Sequence, residues 1–428
     1  MTHPLRLGIA GLGTVGVGVV SIIRRKTALL SARAGRPITI SAVSARSRNK
    51  DRGVSLDGYA WEDDPVALAR RDDVDVFVEL MGGSDGPAKA ATEAALAAGK
   101  DVVTANKAML AIHGHTLAER AEAEGRVIRF EAAIAGGIPV VKALSEGLAG
   151  NSVTRVMGVM NGVCNYILTR MESAGLPYAE VFGEADRLGY LEADPTLDVG
   201  GIDAGHKLAL LAAVAFGVRV GFDDVELEGI DRISVEDIGQ ARDLGYRIKL
   251  LGVAQMTARG LEQRMSPCLV PAGSPLGQLE GATNMTVLEG DAAGQIVLRG
   301  AGAGQGPTAS AVMADVIDIA RGCRIPVFGQ PAATLKRAQP AKSVAPAAYY
   351  LRMALQDRPG ALARIATVLG EAGVSIDRMR QYGHDTPTAP VLIITHETTR
   401  DALDRALDGL GRTGVLENDP VAIRIENV

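Results

Sequence analysis

The chain has 428 residues, more than one hydrophobic core usually supports, so two or three domains are expected. Apolar residues make up 47% and charged residues 22%, and a net charge of −5 offers no basic footprint for nucleic acid or an anionic membrane surface. Cys164, Cys268 and Cys323 are odd in number and far apart, which argues against a disulfide framework or a zinc site. With no signal peptide ahead of "LRLGIAG" and no apolar run of membrane-spanning length, a cytoplasmic protein is expected.

Residues 5–11, "LRLGIAG", read as a short buried strand, and "LGTVGVGVVSIIRR" has the spacing of a helix with one apolar side. Strand-like runs follow at 38–45, 74–80, 101–105 and 126–132, several of them separated by alanine-rich helical stretches. This alternation predicts βαβ units and a parallel sheet, a dinucleotide-binding domain over residues 1–150.

Three motifs sit in that domain. "GLGTVG" supplies Gly11, Gly13 and Gly16: the first allows a tight turn, the second a close approach of backbone to pyrophosphate, the third close packing of helix on strand. The second strand ends "SAVSARSRNK", with Arg46, Ser47 and Arg48 and no acid for a ribose hydroxyl. Arginines there suit a 2′-phosphate, so NADP(H) is favoured; a solvated basic loop and use of NAD(H) stay open. "VVTANKAM" places Asn106 and Lys107 just past a parallel strand, on the side where open α/β sheets bind ligands. "FEAAIAGGIPV" puts Glu131, two glycines and a proline after the fifth expected strand, a turn whose carbonyls can ligate a hard cation or serve structure alone.

After about residue 150 the rhythm changes to strands at 153–160, 227–230, 250–256 and 285–289 and helices at 163–173, 178–188 and 202–216, an α+β domain over 151–305. A long helix at 310–322, within a 306–325 segment, is expected to return to the first domain. Residues 326–347 read as a linker, and 348–428 show the strand–helix–strand–strand–helix–strand order of a ferredoxin-like fold.

"LGYLEADPTLDVGGIDAGHKLALL" crowds Glu192, Asp194, Asp198 and Asp203 ahead of an apolar run that contains Lys207. Asp203 and Lys207 are four apart on one helix face, which an ordinary ion pair with capping acids would also explain. The functional reading gives the acids a substrate ammonium to bind and the lysine a proton to transfer.

Together "GLGTVG", "VVTANKAM", "FEAAIAGGIPV", "NGVCNYIL", the 188–211 stretch and "GAGAGQGPTASAV" resemble the homoserine dehydrogenase family over residues 5–325, and "QDRPGALARIATVLGEAGVSI" resembles an ACT domain. The resemblance implies reversible NAD(P)-linked reduction of L-aspartate 4-semialdehyde to L-homoserine, on the route to threonine and methionine. It matches Lys207 to the proton donor, Lys107 to a second active-site lysine, Glu192 and Asp203 to substrate-binding acids, and Asp198 to a supporting acid. Thr14, Val15, Ala105, Gly189 and Gly304 match nucleotide-contacting positions. Glu131, Ile134, Gly136 and Ile138 match residues whose main-chain oxygens hold sodium. It further implies a homo-oligomer, dimer or tetramer, with the 151–305 domain serving catalysis and dimerisation. Feedback by an amino acid such as L-threonine is implied at the ACT domain, around residues 357–360 and Val374–Asp377. No aspartate-kinase region is expected. One departure is Val163-Cys164, where many relatives carry two threonines; Cys164 is expected to be a packed, unreactive side chain. The rivals are a dehydrogenase of another amino-acid aldehyde, and an amino-acid sensor on a vestigial dinucleotide fold.

Overall fold

The computed structural model describes residues 3–191, 194–341, 344–381 and 388–428. β1 (Leu5–Ala10), β2 (Ile38–Ser44), β3 (Ala60–Glu62), β4 (Val76–Glu79), β5 (Asp101–Thr104) and β6 (Ile128–Arg129) form a parallel sheet in the order β3-β2-β1-β4-β5-β6. Leu7, Ile9, Val76, Phe77, Val78 and Val103 are all fully buried, because helices cover both faces and the strands need no polar alternation. β3 was not expected. Its three residues, "AWE", are too few to show a period, and counting it makes Glu131 follow the sixth strand rather than the fifth.

The Gln305–Ala320 helix, begun five residues earlier than expected, packs along the Thr14–Ala34 helix of this domain. A Cβ at Gly18 would lie 2.8 Å from the Gln305 carbonyl oxygen, so the contact requires glycine. Val312 and Val316 of the returning helix share one core with Ile9 and Val78.

A second, ten-stranded sheet contains β7 (Val153–Val159), β8 (Glu226–Leu227), β9 (Tyr246–Thr257), β10 (Gly260–Pro271), β11 (Thr283–Gly290) and β12 (Gly294–Ala301). The strand expected at 227–230 is only the exposed two-residue β8. Conversely, β10 escaped the pattern because Glu262, Gln263 and Arg264 are polar yet buried along it. The Val235–Asp243 helix was also missed; its sequence is polar, but a Ser234–Asp237 capping box starts it.

The C-terminal domain has β13 (Tyr349–Gln356), β14 (Ile376–Gln381), β15 (Thr388–Thr395) and β16 (Val421–Ile425), with helices Ala361–Glu371 and Arg400–Gly411. Its order β16-β13-β15-β14 is the expected ferredoxin-like arrangement. An added feature is that β16 pairs in parallel with β10 through Cys268–Arg424 and Leu269–Ile425, so the sheet runs unbroken into the second domain. Buried Asp237 accepts hydrogen bonds from Arg352 Nε at 2.6 Å and Tyr350 Oη at 3.2 Å, and Glu426 accepts from Arg264.

The stretch after residue 325 lies packed across both other domains. Phe328 stacks on Phe130 with centroids 5.6 Å apart and fills the space left by Gly114. Ala332 N donates to Glu122 at 2.7 Å, and Ala341 N donates to the Leu261 carbonyl at 2.9 Å. Among the described residues no helix is long and apolar enough to cross a membrane.

Candidate active site

β1 ends at a turn that only glycine can make. Gly11 has φ +99°, and a Cβ there would lie 2.3 Å from the Leu80 carbonyl oxygen. A Cβ at Gly16 would lie 2.0 Å from the Gly11 oxygen, whereas Gly13 faces open space. Gly13 begins the Thr14–Ala34 helix without a side-chain cap, leaving N–H groups and a positive dipole end, with Thr14 and Val15 in the first turn. This cradle of missing side chains fits a pyrophosphate.

Arg46 and Arg48 lie exposed just past β2. Arg52 was not singled out from sequence, yet its Nε donates to the Leu12 carbonyl at 3.3 Å and it bonds the Ser47 carbonyl, tying the basic loop to the glycine loop. Arg48 and Arg52 each lie over Trp61, with guanidinium carbons 5.9 and 5.7 Å from its ring centroid.

At the ends of β4 and β5 a buried carboxylate organises the next helix. Glu79 accepts from Thr104 Oγ1 at 2.6 Å and from Met81 N at 2.7 Å, while Thr104 Oγ1 accepts from Asn106 N at 2.9 Å. Burial pushes the Glu79 carboxyl up, and these hydrogen bonds oppose it. Asn106 caps the Lys107–Ala123 helix through Met109 N, so Lys107 is its first residue, with Ala105 in the turn before. The signal for Glu79 was an acid set among apolar residues near the carboxyl end of "VDVFVEL", a parallel strand.

Lys107 reaches across the cleft to the second domain. Its Nζ lies 2.8 Å from Asp203 Oδ1, while Lys207 Nζ lies 2.7 Å from Asp203 Oδ2 and donates to the Met160 carbonyl at 2.8 Å. Burial would push the Asp203 carboxyl up, but the flanking lysines hold it well below the usual carboxylate range. Asn161 Nδ2 donates to Asp198 Oδ1 at 3.0 Å, and its Oδ1 caps the Gly162–Ala174 helix through Cys164 N at 2.9 Å. Asn161 sits inside "NGVCNYIL" and was given no role from sequence. Cys164 is fully buried, its thiol is pushed up first by burial, and its Sγ contacts the Asp198 carbonyl oxygen at 3.3 Å.

Lys107, Asp198, Asp203 and Lys207 thus converge. Glu192 lies outside the described residues. Gly189, φ +71°, is in an exposed turn after the Tyr178–Arg187 helix, and Gly304, φ +113°, precedes the Gln305–Ala320 helix.

Beneath the cleft, Glu131 receives Val141 N and Lys142 N, both at 2.9 Å, and its own N–H donates to Asp315 at 2.9 Å. Burial, then the charge of Asp315, pushes the Glu131 carboxyl up to about 7. Gly136 has φ +56°, and a Cβ there would lie 2.4 Å from the Gly302 carbonyl oxygen; Ile134 and Ile138 are buried. Among the described residues no cluster of three or more His, Cys, Asp or Glu could hold a metal ion.

Family models described as homoserine dehydrogenase, its NAD-binding domain and the ACT domain match residues 139–317, 11–131 and 349–412. The chain is 42% identical to a homoserine dehydrogenase of Neisseria gonorrhoeae, over 99% of each chain. The crystal structure of a homoserine dehydrogenase from Thiobacillus denitrificans matches with TM-score 0.93 and 38% identity over 99% of each chain. A hyperthermophilic archaeal homoserine dehydrogenase mutant in complex with NADPH matches with TM-score 0.63 and 26% identity, over 74% of this chain and 97% of that one. With its dinucleotide cradle facing a lysine–carboxylate cleft, the chain belongs to the homoserine dehydrogenase family, oxidoreductases that act on a CH–OH group with NAD(P).

Proposed function

We propose that the two lysines joined through Asp203 are the proton-handling centre for the interconversion of L-aspartate 4-semialdehyde and L-homoserine. The observation that carries this reading is the cross-domain bridge, with Asp203 2.8 Å from Lys107 and 2.7 Å from Lys207. A nicotinamide cofactor seated on Gly11, Gly13 and Gly16 supplies the hydride. Lys207, fixed by Met160 O and Asp203, gives a proton from Nζ to the aldehyde oxygen as charge gathers there, and takes it back in the reverse direction. Lys107, the more open of the two, stabilises the same oxygen. The acids of the 192–203 stretch bind the substrate ammonium, and Asn161 holds Asp198 for that task.

NADP(H) is the preferred cofactor in this reading. Support comes from Arg46 and Arg48, with Arg52 bracing their loop, and from the archaeal relative solved in complex with NADPH. Thr14, Val15, Ala105, Gly189 and Gly304 complete the nucleotide contacts. A sodium ion suits the Glu131–Ile138 turn: its carboxylate is taken up by backbone amides, so main-chain oxygens of Glu131, Ile134, Gly136 and Ile138 would be the ligands. Bound there, the ion would neutralise local charge and stiffen the turn. The chain serves threonine and methionine synthesis and forms a homo-oligomer. It answers to an amino acid such as L-threonine at the Asp357–Gly360 turn and Val374–Asp377 of the ACT domain.

Asp203→Asn tests the central assignment. Turnover should fall by about 10²–10⁴-fold with NADPH binding retained; normal turnover would remove the bridge from the chemistry.

A further inference from the structure

Glu79 is fully buried at the carboxyl end of β4, in register with Ala10 of β1 on one side and Thr104 of β5 on the other. Strand order reverses here, since β4 follows β1 on the side away from β2, and open α/β sheets bind their ligands at such a point. Burying a carboxylate is costly, and an apolar side chain would serve packing alone. The hydrogen bonds of Glu79 run instead into the corner that carries Lys107. Oε1 takes Met81 N at 2.7 Å and Gly82 N at 3.3 Å, from the turn after β4. Oε2 takes the Thr104 hydroxyl at 2.6 Å, and that hydroxyl, itself fully buried, accepts from Asn106 N at 2.9 Å.

Only Ala105 and Asn106 separate β5 from the Lys107–Ala123 helix, so Asn106 decides how Lys107 enters the cleft. Asn106 is held on three sides. Its N–H donates to Thr104 Oγ1, its Oδ1 accepts from Met109 N at 3.1 Å, and its Nδ2 donates to the Gly83 carbonyl at 2.7 Å. Gly83 follows the Gly82 amide that Glu79 receives, so the carboxylate steadies Asn106 from both strands. The rest of the helix is anchored elsewhere: Met109, Leu110 and Leu117 are buried, and Phe328 packs at Gly114. Losing the clamp would free the first turn and leave the helix in place. The glycine turn is likewise held without the Glu79 side chain, by Leu80 N on the Ala10 carbonyl at 2.7 Å and Gly11 N on the Ser44 carbonyl at 2.8 Å.

We propose that Glu79 is a positioning residue for the reaction: through Thr104 and Asn106 its carboxylate sets the first turn of the Lys107–Ala123 helix and holds the Lys107 ammonium at the reacting oxygen. The inference rests on the reading of Lys107 as part of the proton-handling centre. Glutamine cannot take over the task. Its amide has one acceptor oxygen, whereas Met81 N and Gly82 N need an acceptor at one end of the group and the Thr104 hydroxyl needs another at the other.

The test is a pair of double-variant cycles read as NADPH oxidation with aspartate semialdehyde. Glu79→Gln should lower kcat by about ten- to a hundredfold, with NADPH affinity kept within about threefold. Thr104→Val should do the same, and Thr104→Ser, which keeps the hydroxyl, should retain the rate. Joined in one chain, Glu79→Gln and Thr104→Val should cost no more than either alone, because both cut one chain of hydrogen bonds. In a Lys107→Ala background Glu79→Gln should lower kcat by less than about twofold, whereas a general loss of structure would persist there. Undiminished kcat in both Glu79→Gln and Thr104→Val, additive losses in the joint variant, or the same loss with and without Lys107 would overturn the proposal. Should Glu79→Gln fail to fold, Thr104→Val against Thr104→Ser, with and without Lys107, decides it. Wild-type turnover of Lys107→Ala would refute the proton-handling reading and this inference with it. An impaired Lys107→Ala beside unimpaired Glu79→Gln and Thr104→Val would refute this inference alone.

Discussion

The two junctions between domains are built differently. At the cofactor cleft, Lys107 and Asp203 meet with side chains 30% and 13% exposed, and the neighbouring segments are loops and helix starts. At the C-terminal junction β10 and β16 share one sheet, Arg264 and Glu426 pair at 4% and 7% exposure, and Asp237 is fully buried beneath Arg352. Partly exposed ion pairs hold little energy, whereas a buried charge stripped of its partner is costly. The cleft can therefore open for substrate while the regulatory domain cannot swing as a free body. A displacement of that domain has to pass through the shared strands.

The widest separation between the junctions should appear in Asp237→Ala, which leaves the half-buried Arg352 and the buried Tyr350 hydroxyl without their carboxylate partner. A loss of about 3–5 kcal/mol is expected in denaturant melts, with near-normal turnover in the protein that remains folded; a loss under about 1 kcal/mol would show the junction is not welded. At the cleft the effects should fall on ligand affinity. Arg46→Gln with Arg48→Gln should raise the NADPH KM by about tenfold or more while leaving NADH kinetics and melting temperature unchanged; equal losses for both cofactors would refute the 2′-phosphate reading.

The smallest effect is a shared acid limit. Asp203, with an ordinary value of 3.8, and Glu426, with 4.5, are each pushed up by burial and pulled lower still by cations: Lys207 and Lys107 for the first, Arg264 and Arg424 for the second. A carboxyl held below its unfolded value contributes stability that is present above that value and lost as pH falls below it. Melting temperature should drop below about pH 4 as these two carboxylates take up protons. Asp203→Asn should soften the drop, and a variant melting curve that falls as steeply as the wild type would contradict this.

Where function constrains type and spacing together, the sequence was readable. Gly11 and Gly16 are dictated by contacts of 2.3 and 2.0 Å that no Cβ survives, and Asp203 with Lys207 by a four-residue helical step. What stayed hidden depends on tertiary partners. β10 is polar because Arg264 finds Glu262 and Glu426, and no hydrophobic period announces such a strand. Lys107 and Asp203 lie 96 positions apart, and only the docking of two domains brings them to 2.8 Å. Residues 326–347 look like a linker because proline and alanine carry no period, yet Phe328 is 1% exposed in a pocket formed by Gly114 and Phe130.

The most direct measurement is the rate of NADPH oxidation by aspartate semialdehyde in Lys207→Ala, with NADPH affinity measured on the same sample by quenching of Trp61, the chain's single tryptophan. The expected result is a rate lower by about 10²–10⁴-fold with cofactor affinity unchanged. A near-normal rate with intact binding would contradict the assignment of Lys207 as the proton donor.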